Sequence, residues 1–308
     1  MSPAPGGPGP DSDPSGRSAA ASAARRQRAL FYVESAAFWA PTLPGWPAAR
    51  AAFRGEGALT EPAAKRPAPE ILAPAERRRV PDTVALALEV AAAAAREAGR
   101  APDTMASIFT SAHGDLGVND YMCRTLAEQP TLISPTRFHN SVHNAAAGYW
   151  TIGTGCMAAS TALTAFDASF AAGLLEAAVQ CAADARAVLL VAFDVEAAGA
   201  LASVTTSRGL VAGALVLAPE RSDRSLAAVE WSLQHGPTVR VPLRSAAARS
   251  LAGNAMADAL PFFEALACLP APAHATPAVE PLDLPLGRGL ALRLQARPLA
   301  GLAAPAQA

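Results

Sequence analysis

The sequence predicts an α/β protein with a mixed or largely parallel sheet. Three observations lead there. Short apolar runs of strand length alternate with longer helical patterns along most of the chain. Two of those runs, ASTALTA (159–165) and AVLLVAF (187–193), suit strands buried on both faces. Between them, a strand-like run from Ser160 to Ala165 turns directly into an apolar helix starting near Asp167. Such a turn places one side chain at a helix N-terminus, where many α/β enzymes hold a nucleophile.

The elements follow in order. ALFYV (29–33) is the first strand, and Trp39, Trp46 and Phe53 fall in a Pro-interrupted loop with a short helix. Residues 54–79 are rich in Pro, Gly and charge and end in Arg77-Arg78-Arg79, either a solvated loop or a contact for phosphate. Pro81 opens a helix over 82–98, with Asp82 in its first turn and Gly99 at its end. TMASIFTSA (104–112) reads as a buried strand, His113-Gly114-Asp115 as its turn and 118–128 as a short helix. Residues 148–155 carry glycine at both ends and read as a helix ending in a turn. A helix over 168–183 and a strand over 187–193 follow. Runs 209–217 and 226–234 read as two further strands around a polar turn. Residues 254–268 read as a helix interrupted by Pro261, and 288–295 as a last strand before a Pro/Ala tail.

Composition narrows the function. Of 308 residues 51% are hydrophobic, enough for a sizeable core, and the net charge of −1 gives no electrostatic case for nucleic acid or an anionic membrane. No apolar run is long enough and free enough of charge to predict a membrane span. Four scattered cysteines without a CxxC spacing suit a reducing cytoplasm better than a disulfide framework, and they offer no zinc site. Residues 1–27, rich in Pro, Gly, Ser and Ala and without an apolar h-region, read as a disordered leader.

Candidate site residues cluster in 133–196. Asp167, in the first turn of its helix, is a natural cap for unpartnered N–H groups; a general base or carboxylate nucleophile is the functional alternative. His139 and His143 in FHNSVHN would share a helix face. They have neither the HExxH glutamate nor a third ligand, so they frame a loop or line a polar pocket rather than hold metal. Cys156 follows a helix C-terminus, where the dipole disfavours a thiolate, and reads as a small buried residue. Glycines 153 and 155 make no phosphate loop, so no cofactor is expected. His235-Gly236 reads as a turn.

Ser134-Pro135, Asn144, Ala147-Gly148, Ile152, Gly155 and Ser160, with the strand and turn after them, resemble the N-terminal half of β-ketoacyl-ACP synthases. The resemblance covers about 28–220. It implies a thiolase-like half-fold: a mixed five-stranded sheet with helices packed on it, plus a short C-terminal extension. The implied organisation is a leader over 1–27, a ketosynthase-like domain over 28–245, and a helix, strand and Pro/Ala-rich tail over 246–308. In a working ketosynthase this pattern runs into an active-site cysteine at a helix start. Counting along it lands here on Asp167, so Asp167-Ala168-Ser169 stands for the Cys-x-Ser motif, with Ser169, His139, His143 and Asn144 as pocket residues. The HGTGT and Lys-containing GH histidine motifs of the second half have no counterpart.

The resemblance therefore implies a subunit without synthase activity of its own, similar to the chain-length factors of polyketide and aryl-polyene systems. Its expected partners are a ketosynthase or a second copy of itself, and an acyl carrier protein. A lone half-fold is expected to expose an apolar sheet face that a partner covers. The alternative is an acyl-thioester hydrolase or decarboxylase using Asp167 with a nearby histidine.

Overall fold

Each strand expected from the sequence is present, and all of them belong to one sheet. The computed structural model describes residues 29–57, 59, 66–237, 239–270 and 280–299. The leader over 1–27 and the Pro/Ala tail from 300 lie outside the described residues.

The strands are β1 (Ala29–Ala40), β2 (Leu43–Pro44), β3 (Ala106–Thr110), β4 (Ser160–Leu163), β5 (Val188–Asp194), β6 (Val211–Ala218), β7 (Ala227–His235), β8 (Leu282–Gly287) and β9 (Leu290–Pro298). The helices are α1 (Trp46–Phe53), α2 (Pro74–Arg77), α3 (Asp82–Ala98), α4 (Leu116–Glu128), α5 (Pro135–His139), α6 (Ala145–Thr154), α7 (Ser169–Asp184), α8 (Ala246–Leu251) and α9 (Leu260–Ala267).

The order across the sheet is β4-β3-β5-β6-β1-β7-β9-β8, with β2 hairpinned onto the end of β1. Strand β3 runs parallel to β4 and β5, and the other pairs are antiparallel, so the sheet is mixed. Five strands, β4 to β1 in that order, form the expected half-fold. The sheet does not stop there. Strand β7 pairs with the start of β1, then β9 and β8 follow, giving nine strands among the described residues instead of five.

Strand β1 runs seven residues past the expected Val33. Glu34 and Ser35 look in sequence like a strand end, yet both are buried in mid-strand. The reason is local pairing. Arg100 forks onto both carboxylate oxygens of Glu34, Ser222 donates to it, and Ser35 donates to the Ala94 carbonyl at 2.7 Å. Helix α3 has the expected limits because Pro81 precedes it and Gly99 closes it at φ 61°, a left-handed turn glycine adopts freely. Pro261 does not interrupt a helix; it sits in the first turn of α9, where its missing N–H costs nothing.

Two apolar layers flank the sheet. Helices α3 and α6 cover one face, through residues such as Leu86, Val90 and Trp150. Helices α7, α9 and α1 cover the other, where Phe38, Phe53, Phe170, Phe262 and Phe263 meet at centroid distances between 5.3 and 6.3 Å. A Cβ on Gly173 would lie 2.9 Å from Thr110, which explains how closely α7 lies on β3. The sheet face expected to be bare is thus covered by residues 246–269 of the same chain. No helix among the described residues is long and apolar enough to cross a membrane.

Candidate functional site

The turn from β4 to α7 is the candidate site. Strand β4 ends at Leu163, a 3-10 turn spans Phe166–Ala168, and α7 starts at Ser169. The strained residue is Phe166, at φ 49°, one of three non-glycine residues with positive φ among those described. The left-handed position therefore falls one place before the Asp167 expected from counting. The Phe166 ring is 70% exposed and meets the His113 ring edge-on at 6.3 Å.

Asp167 lies in that turn, as the sequence placed it, with its side chain facing solvent. Its side chain is 85% exposed and pairs with Arg240 at 2.8 Å, so it neither points inward nor caps α7. The α7 N-terminus is held by Asp258, whose Oδ2 accepts from the Phe170 N–H at 2.8 Å and the Ala171 N–H at 3.4 Å. The other oxygen, Oδ1, is buried and without a partner among the described residues. Burial pushes the Asp258 carboxyl up to about 7, against the pull of those two N–H groups.

Ser169 is fully buried and does not line a pocket. Its hydroxyl donates to the Phe166 carbonyl at 2.8 Å and accepts from the Ala165 N–H at 3.0 Å, stapling the strained turn. Thr110 donates to the Ser169 carbonyl at 2.8 Å and Thr164 to the Ala112 carbonyl at 2.9 Å, fixing the turn to the end of β3.

Beneath the turn lies Asp194, at the end of β5. It accepts from the Ser111 hydroxyl at 2.7 Å and the Ala112 N–H at 2.8 Å. Burial raises its carboxyl to about 6, with those hydrogen bonds opposing. The His113 imidazole contacts the Thr205 hydroxyl at 2.7 Å. Desolvation lowers its pKa, while the Asp167 charge acts the other way.

The expected histidines lie elsewhere. His143 Nε2 is 3.0 Å from the Ser111 carbonyl, and His139 meets the Tyr149 ring at 6.0 Å. Neither bonds to Asp167, so the catalytic pairing that the hydrolase alternative needs is not formed. His143 and Asn144 do come together, in a 470 Å³ hollow shared with Gly148, Thr151 and Ser160 beside β4. Cys156 is buried, its thiol 3.5 Å from the Met105 carbonyl. Among the described residues no group of His, Cys, Asp and Glu could hold a metal ion. Sequence reasoning did not single out Phe166, whose positive φ no local pattern announces. It missed Asp258 because nothing in the sequence ties that residue to a helix 88 positions away.

A mixed sheet sandwiched by helices, with a strained strand-to-helix turn after one of its parallel strands, is the architecture of the condensing enzymes of the thiolase-like class. The chain belongs to the β-ketoacyl synthase N-terminal domain family, whose model matches residues 52–267. Three solved complexes are similar in fold. A chain of the ketosynthase ApeO–chain length factor ApeC complex from Xenorhabdus doucetiae matches with a TM-score of 0.63 at 22% identity, over 86% of this chain and 99% of that one. A chain of the ishigamide ketosynthase/chain length factor matches at 0.66 and 15% identity, over 88% and 99%. A chain of AntDE:AntF, a type II polyketide synthase carrier protein with its ketosynthase, matches at 0.67 and 12% identity, over 89% and 100%. No curated protein matches the sequence.

Proposed function

We propose that this chain is a non-catalytic, chain-length-factor-like subunit that pairs with an active ketosynthase in bacterial polyketide, aryl-polyene or fatty-acid-like biosynthesis, in the cytoplasm. The observation that carries the reading is the occupant of the elbow. Counting along the family pattern puts Asp167 at the thiol's position, and neither that exposed carboxylate, paired with Arg240, nor its strained neighbour Phe166 offers a thiol to hold an acyl group as a thioester. The turn's framework is intact around it.

The surface supports a protein partner. Among the described residues β4 is a terminal strand of the sheet, paired only with β3, which leaves its outer edge open to a strand from another chain. Among the described residues fifteen large hydrophobic side chains are exposed, and seven fall between Leu126 and Phe166: Leu126, Leu132, Phe138, Val142, Ile152, Met157 and Phe166. That concentration in one stretch of chain, whose helix over 145–154 packs on β4, supports an interface there. The structures similar in fold include ketosynthase–chain length factor pairs and a carrier-protein complex, which supports a ketosynthase, and through it a carrier protein, as partners.

The test is co-expression with the ketosynthase encoded nearest to this chain. A stable heterodimer that condenses acyl groups only when both chains are present is expected. A monomer that never associates with a ketosynthase or with itself overturns the reading. Thioesterase activity abolished by Asp167→Asn would establish the hydrolase alternative.

A further inference from the structure

A cavity of about 610 Å³ lies away from the elbow and from the β4 edge, against an interrupted stretch of sheet. Strand β7 accompanies β1 only as far as Val33, and β2 pairs with β1 only at Trp39 and Ala40. Among the described residues, 35–38 are therefore paired on the β6 side alone, and Glu34 forms the bulge before them. Helix α1 and helix α3 stand on either side of this gap and turn it into a semi-enclosed cleft.

Its lining is amphipathic. Trp39, Trp46 and Leu226 supply apolar surface, while Arg50 on α1 and Arg224 in the turn before β7 bring in guanidinium groups. Neither arginine side chain has a hydrogen bond or ion pair among the described residues. Arg224 rests over Gly99 at the end of α3, where a Cβ would lie 2.6 Å from its guanidinium carbon. Three acids, Glu34, Glu89 and Glu97, share the cleft with a third arginine, Arg96. Glu34 is forked by Arg100, and Glu89 faces Arg96 in a half-buried setting that raises its pKa through desolvation. Glu97 stands exposed at the rim.

We propose that this cleft binds a small amphipathic oxyanion, its apolar body along the tryptophans and Leu226 and its head group between Arg50 and Arg224. The volume lies within the roughly 300–1,000 Å³ typical of small-molecule sites, and a few converging polar groups on an apolar wall are what such sites share. Two guanidiniums with ten N–H donors between them and no acceptor fit a carboxylate or phosphate head group in the bidentate manner those groups favour. The site shares no residue with the elbow, so it stands whether or not the chain pairs with a ketosynthase.

The experiment is a titration of the full-length protein with octanoate and with octyl phosphate, followed by tryptophan fluorescence and calorimetry, with 1-octanol as the uncharged comparator. A saturable response to at least one anion is expected, and the tighter of the two identifies the head group. Affinity should fall at least tenfold, about 1.4 kcal/mol, in the double variant Arg50→Ala/Arg224→Ala. It should also fall in Ala93→Leu, which fills the cleft, and remain unchanged in Ile152→Ser on the β4 side. Far-UV circular dichroism checks that each variant is folded. No saturable response to either anion, an equal response to 1-octanol, or binding retained in the double variant or in Ala93→Leu overturns the proposal.

Discussion

The elbow and the β4 edge lie side by side and are built on opposite principles. At the elbow the polar groups are turned inward: Ser169 staples the turn, Thr110 and Thr164 tie it to β3, and Asp258 holds the first N–H groups of α7. At the edge the reverse holds. Strand β4 lacks an outer neighbour, and Phe138, Ile152 and Met157 stand in solvent. The contrast teaches that the elbow uses its polar groups to hold a turn in place, while the edge leaves backbone and apolar side chains uncovered. Buried polar groups left unmatched cost about 1–3 kcal/mol each, so the elbow's bonds contribute to stability in their own right.

The largest effect should come from the edge. Charging it with Phe138→Asp and Ile152→Asp is expected to abolish association with the ketosynthase in size-exclusion chromatography while leaving the melting temperature of the isolated chain nearly unchanged. A large fall in that temperature would mean that these side chains belong to the core and would erase the contrast. Next in size is Ser169→Ala. It removes a buried donor and leaves the Ala165 N–H unmatched, so about 1–3 kcal/mol of stability should be lost in urea denaturation. A neutral result would mean that the elbow is as slack as the edge.

A third effect is one of pH. Burial raises Asp194 to about 6 and Asp258 to about 7, above the ordinary carboxyl value near 4. The folded state then holds protons that the unfolded chain has released. Stability is present at low pH and lost as pH rises from about 4 through those two values. Asp258→Asn should flatten the decline between about pH 4 and 7 in thermal melts, leaving the part due to Asp194. An unchanged slope would show that Asp258 does not titrate there.

Much of the fold was legible in the sequence, because its signals are local. Pro81 and Gly99 delimited α3, and the runs at 187–193 and 209–217 located β5 and β6 to within two residues. Legibility failed where distant contacts decide. Glu34 reads as a strand end until Arg100 is beside it, and β8, with Pro285 in its middle, gives no strand pattern of its own. The site was legible in type and not in detail. The strand–turn–helix was plain in sequence, but whether Phe166 or Asp167 takes the left-handed position depends on hydrogen bonds from Ser169 and Asp258 that no spacing announces.

The place of β1 has a consequence for how the chain comes off the ribosome. That strand is made first, yet its neighbours β6 and β7 begin at Val211 and Ala227. At about 5–20 residues per second, an apolar segment ending in Phe38-Trp39 must wait on the order of ten seconds or more for a place to go. Nascent chains of this kind are natural clients for holding chaperones, and production of the protein should respond to their supply before it responds to codon choice.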